Sequence, residues 1–403
     1  MIFARVAAPF LAGYFVSYMY RMVNAVLAPT LAAEFGLTAA GLGLMSSVYF
    51  LSFALVQLPL GVALDRFGPR RVNGALLLLA AAGGLWFASA HGAAAAIAAR
   101  ALIGLGVSGC LMACLTAFVL WYPPERISTM TGIAFSAGAV GAMTVTVPLE
   151  MLLRAWGWRE AFLLIVAANL AVCLLMWLWV PERRATRAGE KLAEQLRGLG
   201  RLLRDPAFLR LAVCVGASQS AAVALQTLWI ATWLRDVAGW SPVEVARGLL
   251  AVNVSMIAGY LAFGRAADAR QRRGRSALPL LAAGVAFSSL SLGLLILGAG
   301  SLALWCVFVG CGTAVVLAYS IVARRYPKEM AGRANTAVNV VGFIGMFSGQ
   351  WGIGAVLSLW PPHLANGAAG YAPEGYPWAL AAVWLAQLAG LAWLWSGRKL
   401  LTT

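Results

Sequence analysis

Tyr14, Tyr18 and Arg21 stand at i, i+4 and i+7 in an otherwise apolar stretch, with Asn24 one turn further on. On a helix the first three share one face. A guanidinium stays charged at any physiological pH and offers a planar fork of donors that matches a carboxylate bidentately. If the stretch crosses a membrane, an ionised side chain near its middle costs on the order of 3 kcal/mol or more. That cost predicts a purpose, an anion anchor to which Tyr18 and Asn24 add neutral hydrogen bonds. The structural alternative ties Arg21 to backbone carbonyls or to an acid such as Glu150.

Other polar side chains are scattered through apolar runs: Tyr49, Gln57, Gln219, Gln226, Asn253, Asn335, Asn339 and Gln350. They are candidates to complete a polar site, although a hydrogen bond that packs one helix on another explains each of them equally well. Cys110, Met112 and Cys114 put two thiols on one helical face, a pattern that suits Cu(I). No further cluster supports a metal, and His91 and His363 form no ligand set. Absence of a Walker-type phosphate loop leaves nothing to suggest ATP hydrolysis, and no cofactor is expected.

The elements that position these residues follow from composition. The chain has 403 residues, 62% hydrophobic and 11% charged, and a mean hydropathy of +0.83. Such a chain needs lipid as its solvent. A span of the hydrocarbon core takes about 20 apolar residues, so there is room for about twelve spans. Apolar runs set against breakers predict helices near 8–30, 40–64, 72–90, 93–121, 128–153 and 160–180, then 208–233, 244–266, 277–298, 300–322, 334–359 and 376–397. The first is read as a retained helix with no signal peptide. The six cysteines fall in apolar stretches and imply no disulfide framework.

This divides the chain into a first six-helix bundle, 1–180, a basic linker, 181–206, and a second bundle, 207–403. In the linker Leu192, Leu196, Leu199 and Leu203 recur at helical spacing among Arg and Lys, which fits either an amphipathic surface helix or a solvated tether. Of the thirty Lys and Arg, most fall after even-numbered helices. Arg66, Arg70 and Arg71 follow helix 2. Arg265, Arg270, Arg272, Arg273 and Arg275 follow helix 8, and Arg324, Arg325, Lys328 and Arg333 follow helix 10. By the positive-inside rule both termini are cytoplasmic. The formal charge of +16 then reflects topology and attraction to anionic lipid, and no nucleic-acid partner is needed.

The halves echo each other. Gly61-x-x-x-Asp65-Arg66-x-Gly68-x-Arg70-Arg71 follows helix 2, and Gly264-x-x-x-Asp268-x-Arg270 follows helix 8. Tyr122-Pro123-Pro124-Glu125 and Tyr326-Pro327-Lys328-Glu329 enter helices 5 and 11. At these residues the chain resembles the major facilitator superfamily, whose signature between helices 2 and 3 it matches. Arg100-x-x-x-Gly104-x-Gly106, Trp158-Arg159-x-Ala161-Phe162 and Pro181-Glu182 add to the likeness.

The resemblance implies an all-α membrane protein of twelve transmembrane helices in two pseudo-symmetric six-helix bundles that rock about a central site. Gly61, Asp65, Arg66, Arg70, Arg71, Asp268 and Arg270 would then serve gating, or simply topology and packing. Tyr20 to Pro29 and Glu34-Phe35-Gly36-Leu37 look most like the organic-anion and organophosphate permeases, where an Arg in helix 1 grips the anion; Arg21 matches that place. The phosphate antiporters' Arg in helix 7 and His in helix 5 are replaced by Val223 and Gly141. That departure favours a monoanion, such as a small carboxylate, over a phosphate ester.

The expected function is therefore secondary active transport of a small organic anion across a bacterial inner membrane by a monomeric, multi-pass carrier, with a proton or cation as a candidate co-substrate. Arg100 either supports its bundle or assists proton coupling. Glu150, beside Pro148, is the candidate proton-carrying acid or else a solvated interfacial carboxylate. The competing expectation is efflux of an amphiphile, although helix 5 lacks the Gly-Pro pair of drug antiporters.

Overall fold

A computed structural model describes residues 3–183, 197, 200–326, 328–361, 363–365 and 368–402. The predicted amphipathic stretch of the linker lies outside the described residues, apart from its last turn. Among the described residues twelve long helical elements follow one another. They are α1 (Ala8–Phe35), α2 (Ala39–Phe67), α3 (Pro69–Ala88), α4 (Ala93–Trp121), α5 (Pro124–Thr144 continued by Val147–Trp156) and α6 (Trp158–Trp179). The second half repeats them as α7 (Pro206–Asp236), α8 (Pro242–Arg272), α9 (Leu278–Ile296), α10 (Leu302–Gly312, Thr313–Val316 and Leu317–Arg325 in series), α11 (Lys328–Leu357) and α12 (Gly375–Ser396). A two-stranded antiparallel hairpin, β1 (His363–Ala365) and β2 (Ala368–Gly370), joins α11 to α12.

Among the described residues, eleven helices are long and apolar enough to cross a membrane. The exception is α1, whose 28 residues suffice in length. Its hydropathy is pulled down by Tyr14, Tyr18, Tyr20, Arg21 and Asn24. It is packed inside the bundle, against α5, α6 and the α7 segment at Leu225–Trp229. A polar helix is tolerated there because protein, not lipid, surrounds it.

Punctuation in the sequence sets the boundaries. Gly36 ends α1 in the left-handed conformation, φ 59°, with its N–H on the Ala32 carbonyl. Thr38 then caps α2 by accepting from the Gly41 N–H. Ser241 and Glu244 form a reciprocal capping box at the start of α8. A π-helical turn, Phe3–Ala7, leads into α1, and among the described residues four further spans depart from regular α geometry. α4 is interrupted at Ser108–Gly109, α5 just before Pro148, α7 by a π-helical stretch at Leu225–Trp229, and α10 by a 3₁₀ stretch at Thr313–Val316. Such irregularities often mark functional positions.

The faces of the bundle differ. Arg66, Arg70, Arg71, Arg270, Arg275, Arg324 and Arg325 lie at one end, here the basic face. Toward the opposite face the two halves meet along α2 and α11. A Cβ on Gly354 would stand 2.3 Å from the Ala39 carbonyl oxygen, and one on Gly43 2.8 Å from that of Gln350. The Ala40 N–H donates to Ser358 Oγ across the same seam at 2.8 Å.

Candidate functional site

Arg21 sits midway along α1, half-buried, with its Nε fully enclosed and without a hydrogen-bond partner among the described residues. Rings surround its charge. Its Cζ lies 4.7 Å from the Tyr18 ring centroid, 5.4 Å from Phe53 and 5.9 Å from Phe50. The tie to Glu150 weighed from sequence does not form, because Glu150 pairs with Arg154 at 3.0 Å one turn along the same helix. The Tyr49 hydroxyl also lies within hydrogen-bond reach of the guanidinium, but aromatic faces and a neutral phenol hold a cation loosely compared with a carboxylate, so Arg21 can still take an anion.

Two chains of rings leave this guanidinium and cross to the second half. One runs from Tyr18 to Tyr14 (5.1 Å between centroids), then to Phe135 of α5 (6.3 Å) and Tyr260 of α8 (6.3 Å). The other runs from Tyr49 to Phe53 (5.0 Å) and on to Phe343 of α11 (4.9 Å). Tyr260 and Tyr319 of α10 both lie within electrostatic reach of Tyr18 and Arg21. The Tyr319 hydroxyl donates to Asn339 Oδ1. Tyr18, Arg21, Phe135, Tyr260, Tyr319 and Asn339 are all only half-buried although they lie within spans, and their contacts join the two halves.

Gly141 explains why α5 comes so close. A Cβ there would stand 2.3 Å from the Phe15 carbonyl oxygen of α1, so the position that holds His in the phosphate antiporters has no room for a side chain in this bundle.

The other predicted residues fall into distinct places. Asn24 is buried and donates to Ser46 Oγ at 2.8 Å, leaving its own carbonyl oxygen unpaired. The Tyr49 hydroxyl donates to the Ser17 carbonyl at 3.1 Å. Gln226, in the π-helical stretch of α7, donates to Asn253 Oδ1 of α8 at 2.9 Å and contacts Met256 Sδ at 3.1 Å. Gln219 faces Gly342 of α11. Gln350 is buried at the α2–α11 seam with its Oε1 unpaired, and its carbonyl accepts from the Trp229 indole at 3.0 Å.

Arg100 is 1% exposed. Its Nη1 donates to the Tyr20 carbonyl at 2.9 Å, and its Cζ lies 5.1 Å from the Tyr49 ring. Glu150 lines a small cavity of about 50 Å³ between the halves, together with Pro29, Thr232 and Arg235. Arg235 is buried against Asp236 at 2.6 Å, which also accepts from the Tyr376 hydroxyl at 2.7 Å. Among the described residues no three His, Cys, Asp or Glu side chains cluster as a metal set.

At the basic face Arg70 donates to the Trp177 carbonyl at 2.6 Å, and Arg70 and Arg71 approach Glu182 at 3.7 and 3.2 Å. Arg66 lies 5.2 Å from the Phe67 ring. Asp65 is half-buried and engaged by its neighbours. In the second half Asp268 is exposed, while Arg270 donates to the Ser276 carbonyl at 3.2 Å. A cavity of about 620 Å³ opens there, entirely within the second half, lined among others by Asp205, Arg275, Arg324 and Tyr326.

Sequence reasoning singled out Arg21, Tyr14 and Tyr18 but not Phe53, Phe135, Tyr260, Tyr319 and Phe343, which the structure brings near them. An aromatic in an apolar helix reads as packing. Tyr260 and Tyr319 carried a usable signal, a phenol within a span and therefore in need of a polar partner.

Several known proteins are similar. The chain is 27% identical over 275 residues to the probable sulfoacetate transporter SauU of Cupriavidus necator, covering 67% of this chain and 59% of that one. It is 29% identical over 181 residues to the hexuronate transporter of Bacillus subtilis, covering 43% and 41%. The matches thus span less than two thirds of these relatives' length. The fold matches the crystal structure of a bacterial homologue of the human lysosomal transporter Spinster, with a TM-score of 0.78, 16% identity and coverage of 98% and 96%. The family model of the Major Facilitator Superfamily matches residues 10–350, and with that span, the helix order and the loop signatures the chain belongs to the Major Facilitator Superfamily.

Proposed function

We propose that this protein is a secondary transporter that moves a small organic monoanion, a carboxylate in the first instance, by alternating access about Arg21. The observation that carries the reading is the state of Arg21. It is the cation at the junction of the halves, it has no acidic partner among the described residues, and its Nε is enclosed and unpaired. A single unneutralised guanidinium suits one negative charge. Gly141, where a side chain has no room, argues against the phosphate-ester arrangement, and the relative named for hexuronate carries a monocarboxylate in its name.

In this reading residues 1–180 and 207–403 form the two rocking bundles, and 181–206 tethers them. The basic face is cytoplasmic, in a bacterial inner membrane, with both termini on that side. The α2–α11 seam then closes the periplasmic side. Asp65 and the arginines after α2 and α8 act in switching, and Glu150, at the far end of the junction, is the candidate for proton coupling. The carrier works as a monomer.

The test is binding to monodisperse protein. Arg21→Lys should weaken affinity for a carboxylate markedly, and Arg21→Gln should lower it by about a hundredfold or more, with folded yield close to normal. Unchanged affinity in Arg21→Gln would end the anchor reading.

A further inference from the structure

We infer that the transported anion is aromatic, a flat ring bearing one carboxylate. This rests on the proposed anchor role of Arg21 and deepens it. The two ring chains both begin at the guanidinium and diverge into the second half, one through Tyr14 and Phe135 to Tyr260, the other through Phe53 to Phe343. A carboxylate bound on Arg21 therefore has aromatic walls on two sides.

The chemistry of those walls narrows the ligand. Phe53, Phe135 and Phe343 supply ring faces and edges and no hydrogen-bond donors, the Tyr49 hydroxyl is committed to the Ser17 carbonyl and that of Tyr319 to Asn339, and the phenols of Tyr14, Tyr18 and Tyr260 are the donors that the walls retain. A polyhydroxylated body such as a sugar acid would leave its hydroxyls unpaired against Phe53, Phe135 and Phe343, at a cost for each. A planar ring instead stacks or meets the walls edge-on, which adds attraction beyond the apolar area buried. The slot is also incomplete in either half alone. Tyr260 and Phe343 come from the second bundle, so an aromatic ligand ties the bundles together through its body while its carboxylate stays on α1. The Tyr319–Asn339 pair and the Tyr260 phenol bring polar groups from the second half within electrostatic reach of the anchor, which suits a hydroxyl or amino substituent on the ring.

The experiment compares three monocarboxylates of equal charge, benzoate, cyclohexanecarboxylate and hexanoate, by calorimetric titration of the full-length purified protein. Benzoate should bind about tenfold more tightly than the saturated ring of similar size. Phe135→Leu with Phe343→Leu keeps most of the apolar volume and removes one ring from each wall. In that variant the two cyclic acids should bind within about threefold of each other, while Arg21→Gln should abolish binding of all three. Equal or tighter binding of cyclohexanecarboxylate, lost in Arg21→Gln, overturns the aromatic inference and leaves the anchor intact. Binding of all three that persists in Arg21→Gln, or no binding of any, removes the anchor reading and this inference with it.

Discussion

Arg21 and Arg100 are the same side chain in neighbouring helices, and their surroundings assign them opposite work. Arg100 spends its charge on α1, donating to the Tyr20 carbonyl from a site that is 1% exposed. Arg21 meets aromatic rings and the Tyr49 hydroxyl, with no acidic partner among the described residues. Replacing Arg100 by Met keeps length and apolar volume but deletes a charged hydrogen bond worth about 2 kcal/mol, so Arg100→Met should lower the thermal midpoint and leave carboxylate affinity within about threefold of wild type. Arg21→Met should do the reverse. Thermal unfolding and titration on the same preparations check both, and lost affinity at a normal midpoint in Arg100→Met would move Arg100 into the site. At this scale the sequence was most legible where chemistry lay along one helix. Tyr14, Tyr18 and Arg21 announce a shared face by spacing alone. Tyr260, Tyr319 and Phe343 join them from positions more than 200 residues away, and no local pattern encodes that meeting.

Helix ends were nearly as legible, because Pro, Gly and capping residues act on their immediate neighbours. Asp205 is an instance. Its carboxylate accepts from the Ala207 N–H at the start of α7 at 2.9 Å, takes the Tyr326 hydroxyl after α10, and stands 3.8 Å from Arg325. Partial burial works against its charge, but these hydrogen bonds and the guanidinium outweigh burial and hold its carboxyl below the usual carboxylate range. A depressed pKa means that the contribution is present above the ordinary value of about 4 and fades as pH falls through the lower folded value. Asp205→Ala should therefore cost about 1 kcal/mol at pH 7, the modest end for a cap that solvent partly screens. The gap in unfolding midpoint between variant and wild type should close below about pH 4. A gap that persists there would show that packing, not charge, is what the substitution removes. The interruptions inside α4, α5, α7 and α10 were not foreseen. Of these only the α5 break has a visible cause, Pro148, whose missing N–H lies beside it; the π-helical turn that carries Gln226 depends on what α8 presents to it.

The twelve-helix count and the two-fold repeat follow from composition and from the paired loop signatures, because both are properties of long windows. Orientation follows from charge. A reporter fused after Thr403 should be active only in a cytoplasmic assay, and a periplasmic signal would overturn the assignment of the basic face. Which helices touch across the halves was not legible, since Gly43 and Gly354 look like any of the 43 glycines. Their neighbours make them distinctive, backbone carbonyls 2.3 to 2.8 Å from where a Cβ would stand. Gly354→Ala should wedge the seam, and spin labels placed across α2 and α11 should then report a longer distance; an unchanged distance would mean the backbone absorbs the methyl elsewhere. The seam joins the halves by fit and by the neutral bond from Ala40 to Ser358. Dispersion between such surfaces loses a quarter to a half of its strength over a gap of about 0.5–1 Å. A closure of that kind behaves as a snap fastener: half-parted states gain almost nothing, so the seam opens in one step, and adding salt to the medium does little to loosen it.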